Sequence, residues 1–404
     1  MSTVAYRFIE PLDVLFLRGN RAFGDPGSYG ESLIPPWPSV AAGAIRSRML
    51  VDRHIDVDAF AKGHVTDDAE LGTPEQPGSF VVAGFYLARR AADGNVEVLL
   101  PPPADLVVSR SATGALELSA LTPQTLDMPS SFPLAMPPVL AQGSKRGKPE
   151  SGYWLTQPGW ARWLRGELPA AEQLVHASEL WSFDARIGIG LDGATRSVEE
   201  GKLFSAQAVV MHKQGHRLGP DAASGAQRVV DYDVGFLSVV SGATPPAEGL
   251  LRFGGDGRAA AISAVDIELP QPDYQAIADS GRCRLVLTSP GLFPMGWQLP
   301  GTDANKRVRL AEGVRARVVS AVVARAESLS GWDLAKKQPK VLQRVVPAGS
   351  VYWLDELEAS PEALRKLVEN GLWGGHGDNS ADADHAARRA EGFNRLALAA
   401  WARG

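Results

Sequence analysis

Residues 11–30 read PLDVLFLRGNRAFGDPGSYG, and the chemistry is concentrated just after the apolar run Val14–Leu17. Arg18, Asn20, Arg21 and Phe23 follow in close order, with Gly19 and Gly24 among them. Guanidinium forks match the oxygens of a phosphate, glycines let backbone N–H groups come close to an anion, and a phenylalanine face accepts a stacked base. The stretch therefore has the parts of an anion- or nucleotide-holding loop. An ordinary solvated surface loop could carry the same residues, and composition leaves both readings open.

Other constellations are narrower. In GSKRGKP, Gly143 and Gly147 are separated by three residues and Pro149 follows Lys148. A Walker loop needs four residues between its glycines and a Ser or Thr after the lysine to hold magnesium, so nucleoside triphosphate hydrolysis is excluded. What remains is a basic hairpin tip or a solvated turn. HGDNSADADHAARR brings together His376, Asp378, Asp382, Asp384 and His385, yet it lacks the EF-hand glycine and any zinc spacing. It reads as a polar insertion. His54, His64, His176, His212 and His216 have no Cys or Ser partner at a recognisable spacing, and no nucleophile elbow occurs. No metal and no cofactor is expected.

The chain must position these residues with 404 amino acids, 45% of them hydrophobic, and a net charge of −5. That length predicts two domains. The negative balance gives no overall field to draw in nucleic acid or an anionic membrane, so any RNA contact is made by local patches. The single cysteine, Cys283, excludes an internal disulfide and a cysteine-based zinc site, in keeping with a reducing compartment. No signal-peptide pattern opens the chain and no window has about 18 uncharged apolar residues, which predicts a cytoplasmic protein without a membrane span. Gly 42 and Pro 29 make up about 18% of residues against the usual ~12%, which predicts many turns and long loops.

Val4, Tyr6 and Phe8 alternate with Ala5 and Arg7 as in a strand that Pro11 interrupts. After the loop, IPPWPSVAAGAIRSRMLVDR predicts a helix capped by Ser39, with Ala41, Ala42, Ile45, Met49 and Leu50 on its apolar side. Residues 56–77 read as a polar insertion. SFVVAGFYLARR and NVEVLLPPP then form two strands about a turn at Asp93, Gly94 and Asn95. Trp160, Trp163 and Leu164 keep a short helical period, and FGGDGRAAAISAV is a glycine turn leading into a strand.

A second unit opens at CRLVLTSPGLFPMGW with a strand. VRARVVSAVVARA is another, VLQRVVPAGSVYWL a broken strand pair, and Ser360–Pro361 start a helix ending at Gly371. EGFNRLALAAW returns as a strand. The order points to an α+β protein of open antiparallel sheets backed by helices, with a domain boundary near residue 280. Pro35, Pro36, Trp37 and the region of Trp297 are expected as exposed apolar patches.

Six segments in order resemble one family. EPLDVLFLRGNRAFG, SLIPPWPSVAAGAIRSRML, ARIGIGLDGATRSVEEGKLFSAQ, RFGGDGRAA, SPGLFPMGW and RVVPAGSVYWL span residues 10–354. They are similar to the third subunit of the Cmr complex, the type III-B CRISPR effector, a member of the RAMP superfamily. In the third segment Arg186, Ile187, Gly188, Ile189 and Gly190 precede Arg196 and a Glu200–Gly201 turn. The end departs from the pattern: a polar insert stands in GLWGGHGDNSADADHAARRAEGFN, and Asn394 replaces the final glycine of a Gly-aromatic-Gly turn. Asparagine tolerates the left-handed conformation such a turn needs. The RNP1 signature of an RNA recognition motif is missing.

The resemblance implies two ferredoxin-like (RRM-like) RAMP domains with long loop insertions, residues 1–280 and 281–404. It implies no catalytic activity and a place in a cytoplasmic antiviral ribonucleoprotein, holding the 5′ handle of the guide RNA. The expected partners are that RNA, the large polymerase-like subunit and the backbone RAMP subunits, without homo-oligomerisation. Arg18, Asn20, Arg21 and Phe23 would hold the handle, with Arg46, Lys145, Arg146, Lys148 and Arg196 as further RNA-binding candidates. Two other functions stay open. Some RAMP relatives cut repeat RNA with a histidine acid or base, for which His54 is the candidate near the RNA face. A scaffold without RNA contact would instead use its arginines on acidic partner surfaces.

Overall fold

The computed structural model describes residues 4–17, 29–30, 32–64, 68–74, 76–140, 148–220, 226–333, 338–373 and 383–401. The first strand, β1 (Val4–Pro11), buries both faces: Phe8 points to one side of its sheet and Ile9 to the other. Helix α1 (Pro38–Asp52) covers the Ile9 side with Ala41, Ala42, Ile45, Met49 and Leu50, all buried as the apolar pattern requires. It starts earlier than its sequence predicts. Trp37 takes the cap position without a side-chain hydrogen bond, and Ser39 lies inside the helix. Proline explains this: Pro38 lacks the N–H that the first turn leaves unpaired, and its fixed φ suits the first helical position.

The predicted insertion at 56–77 is more ordered than its composition implies. Asp56 caps α2 (Val57–Ala61) by accepting from Ala59 N at 2.8 Å, and Phe60 and Leu71 are buried in the α1 core. β2 (Val81–Ala91) and β3 (Val96–Leu99) form the expected antiparallel hairpin. α3 (Gln157–Leu164) stacks Trp160 on Trp163 with ring centroids 5.2 Å apart. The long strands β4 (Trp181–Leu191) and β5 (Val198–Met211) pair as a hairpin. Its turn is at 192–197, where Asp192 accepts from the N–H groups of Ala194 and Thr195. Glu200 and Gly201, expected as a turn, are inside β5. β6 (Tyr232–Ser241), β7 (Glu248–Arg252) and β8 (Ala259–Ala264) complete a six-stranded sheet of order β7-β8-β1-β6-β2-β3.

After α4 (Tyr274–Ser280) a five-stranded sheet is built from β9 (Cys283–Leu287), β10 (Arg307–Ala311), β11 (Val314–Val322), β12 (Val351–Ala359) and a last strand, β13 (Leu396–Ala400). Their order is β10-β11-β12-β9-β13. VLQRVVPAGSVYWL does not pair with itself: Gln343–Val345 joins Glu327–Leu329, whereas β12 lies between β11 and β9. α5 (Pro361–Asn370) begins with Ser360 accepting from Ala363 N at 3.2 Å and ends at Gly371, φ 77°. The polar insert is partly helical, since α6 (Ala383–Ala390) carries Asp384 and His385 and buries Arg388 against the Phe393 ring.

The two sheets share a middle layer. Phe8, Leu237 and Val239 from the first meet Val286, Val351 and Trp353 from the second, with Trp160 and Trp163 of α3 in the same cluster. α1 closes the outer face of the first sheet, while α4 and α5 close that of the second. Arg284 on β9 ties the layers: Nη1 donates to Asp105 Oδ2 at 2.7 Å and Nη2 to the Trp163 carbonyl at 2.7 Å. Trp163 Nε1 in turn donates to Asp105 Oδ1 at 2.9 Å. The chain is a mixed α/β protein, rich in strand. None of its described helices is long and apolar enough to cross a membrane.

The expected apolar patches are present only in part: Pro294 and Met295 beside Trp297 are exposed, Met295 to 71%, whereas the named prolines and tryptophans themselves are buried or half-buried. Pro36 is buried, Trp37 packs against the Trp373–Phe393 cluster, and Trp297 packs on the second core while its carbonyl accepts from Tyr352 Oη at 2.6 Å. A further run of exposed aliphatic side chains lies on the β4–β5 hairpin. Ile187, Ile189, Leu191, Val198 and Leu203 are each about half exposed or more, Ile187 reaching 78%. Asn394 does what the lost glycine would, at φ 58°, and its side chain adds two bonds: Oδ1 accepts from Leu292 N at 2.6 Å, and Nδ2 donates to the Leu372 carbonyl at 3.3 Å.

Candidate functional site

Arg18, Asn20, Arg21 and Phe23 lie outside the described residues, but both ends of their loop are fixed. On the near side Leu15 exchanges two backbone hydrogen bonds with Val209 of β5, both 2.8 Å, and Leu17 is buried. On the far side Tyr29 and Gly30 run parallel to β5 opposite Ser205 and Ala206, Ser32 binds Gln207, and Leu33 N donates to the Leu17 carbonyl at 2.8 Å. The loop therefore leaves the fold near the root of the β4–β5 hairpin and rejoins it at mid-length along β5.

That hairpin has two unlike faces. Cross-strand partners share a face, so Ile189 opposite Leu203 and Leu191 opposite Val198 extend the aliphatic stripe that includes Ile187. On β4 the other face carries Asp184 and Arg186, followed by Gly188 and Gly190. Arg186 Nε donates to Asp184 at 2.9 Å, and its guanidinium lies 5.8 Å from the centre of the Phe16 ring. Arg258 approaches the same ring to 5.2 Å from the glycine turn before β8 and donates to Asp13 at 2.6 Å. The turn is built around Phe16: Gly255 N donates to its carbonyl at 2.7 Å, and a Cβ on Gly254 would stand 3.0 Å from that oxygen, so only glycine fits without displacing the strand.

The other sequence candidates disperse. Arg196 sits exposed in the hairpin turn at φ 55°. Lys148 is exposed, two residues from Glu150, which pairs with the Leu106–Arg110 strand through Val108. Lys145 and Arg146 lie outside the described residues. Arg46 faces inward: Nη2 donates to the Leu71 carbonyl at 3.0 Å, the guanidinium lies over Phe60 and Phe80, and burial lowers its pKa while Glu391 opposes the shift. Its contacts serve the fold of the 56–77 segment. Phe16 and Arg258 are not legible as partners in the sequence, because 242 residues separate them; the glycines of RFGGDGRAA are the one local signal.

His54 is exposed past the end of α1 at φ 55°. Among the described residues no three His, Cys, Asp or Glu side chains gather as a metal site would require. Of the acidic insert, His376, Asp378 and Asp382 lie outside those residues. Cys283 is fully buried, and burial pushes its thiol up to about 12, far from the range of a nucleophile.

Comparison with known proteins agrees with the ordered segments. No curated protein matches. Among solved structures, the chain is similar to one in the cryo-EM structure of the type III-B Cmr-beta bound to cognate target RNA and AMPPnP, state 1, at TM-score 0.49 and 16% identity over 98% of both chains. A second, from the type III-B Cmr-beta bound to cognate target RNA, gives TM-score 0.46 and 15% identity over 97% of this chain and 96% of that one. The family model described as CRISPR-associated protein (Cas_Cmr3) matches residues 7–401, taking in the loop roots, the hairpin, the glycine turn and both sheets, and the chain belongs to that family.

Proposed function

We infer that the chain is a non-catalytic, cytoplasmic RNA-binding subunit of a type III-B CRISPR effector. It holds the 5′ handle of the guide RNA and bridges the large polymerase-like subunit to the backbone RAMP subunits. Family membership supports the setting. One observation carries the RNA-holding role: the loop of Arg18, Asn20, Arg21 and Phe23 is anchored at both ends along β5 of a hairpin whose aliphatic side chains are exposed. Cationic, aromatic and apolar groups then meet single-stranded RNA on one side of the molecule.

The reading includes two ferredoxin-like units meeting near residue 280. The orders β8-β1-β6-β2 and β13-β9-β12-β11 both support it, each being the fourth, first, third and second strand of a βαββαβ unit. Each unit keeps one helix of the pair, α1 after the first strand in one and α5 after the third in the other.

Binding of labelled repeat RNA tests the proposal. The chain should retain it uncut, with or without magnesium or manganese. Replacing Arg18 and Arg21 with Ala should lower the salt slope by about 0.7 for each single-strand phosphate no longer neutralised. Phe23→Ala should cost about 1–3 kcal/mol of binding with little change in slope. Cleavage products, or an unchanged affinity of the double variant across the salt titration, would overturn it.

A further inference from the structure

Two arginines from distant segments, Arg186 on the hairpin and Arg258 on the glycine turn, converge on Phe16, two residues before Arg18. Their aspartate partners are poor anchors. The Asp184 and Asp13 side chains are 45% and 59% exposed, so water screens both pairs and neither is a strong tie. Arg258 Nε is buried without a hydrogen-bond partner. Phe16, by contrast, is held firmly through its carbonyl. A guanidinium resting on an aromatic face keeps its N–H edge for an oxyanion.

We propose that Arg186 and Arg258 form a phosphate-binding pair for the backbone of single-stranded RNA where it passes the root of the 18–28 loop. Asp184 and Asp13 hold the two forks in place until phosphate displaces them. The inference rests on the RNA-binding reading above but concerns different residues.

The test follows binding of a fluorescent 20-nucleotide oligouridylate across a salt titration. Replacing both arginines with Gln should lower the slope by about 1.4, so that the affinity lost between 50 and 200 mM salt is about sevenfold smaller than for the parent chain. The Arg186→Lys, Arg258→Lys variant should keep the slope yet bind more weakly, because an ammonium cannot reproduce the fork. Asp13→Asn with Asp184→Asn should bind more tightly, an outcome that misfolding cannot produce. An unchanged slope in the Gln pair, or weaker binding in the Asn pair, would overturn the proposal, as would a loss seen only with a 20-residue polyglutamate probe.

Arg18→Ala with Arg21→Ala is measured in parallel. A loss confined to that variant sinks this pair and leaves the loop standing, whereas a loss confined to the Gln pair does the reverse. No binding by the parent chain sinks both.

Discussion

Replacing Asp105 with Asn leaves the Arg284 guanidinium among apolar neighbours without its counter-charge. Asp105 is 1% and Arg284 8% exposed, so solvent cannot substitute for the lost carboxylate. Breaking one side of a buried pair costs about 3–5 kcal/mol. Because the middle layer joins both sheets, the chain should unfold in one transition. At about 2.1 cal/mol/K per residue the unfolding entropy of 404 residues is about 0.85 kcal/mol/K, so the midpoint should fall by about 4–6 °C. The double variant Asp105→Leu, Arg284→Met removes both charges; it leaves Trp163 Nε1 without its acceptor and takes one donor each from the Trp163 and Ala400 carbonyls, but strands no buried charge, so its midpoint should fall by less than that of Asp105→Asn. Differential scanning calorimetry measures both. Two separate transitions, or a shift below about 2 °C for Asp105→Asn, would refute the view that this pair and the layer around it couple the sheets.

Burial holds the His212 imidazole below its ordinary 6.5, beside the stacked ring of His216. The unfolded chain therefore binds a proton that the native chain refuses, and stability should drop as pH falls from about 7 to 5. Urea midpoints of His212→Phe should show a smaller drop over the same interval. Asn394→Gly and Asn394→Ala lose the same two hydrogen bonds, but Gly relieves the left-handed position of its Cβ and Ala keeps it; urea denaturation should place the Ala variant about 1–2 kcal/mol below the Gly variant. Ile187→Ser with Leu191→Ser changes only exposed groups, so stability should stay within about 0.5 kcal/mol while repeat-RNA retention falls in a filter-binding assay.

Elements whose signal is local were legible in the sequence. The β2–β3 hairpin announces itself by its glycine turn, and α5 by Ser360, Pro361 and Gly371. Where two local rules compete, the sequence misleads, as when Pro38 takes the first helical position and displaces Ser39 from the cap. The hairpin shows a different limit. Alternation in RIGIGL marks one apolar face, but it cannot say whether another layer covers that face, since cover depends on elements far along the chain. The same holds for the site. Arg18 and Arg21 stand out by spacing, whereas Arg258 becomes meaningful only once the pairing of β8 with β1 brings it to Phe16. Arg46 shows the reverse: a cation on a helix beside a basic loop looked available to RNA, but the 56–77 segment folds back and occupies it.

The shared middle layer also sets a schedule during synthesis. The first sheet has all its strands once Ala264 leaves the ribosome, yet the last strand of its covering sheet ends at Ala400, 136 residues later. At about 5–20 residues per second, the side of that sheet bearing Phe8, Leu237 and Val239 waits about 7–27 s for its lid. Over that interval only α3 and its neighbours cover part of the layer, and a slowed ribosome lengthens the exposure of the rest.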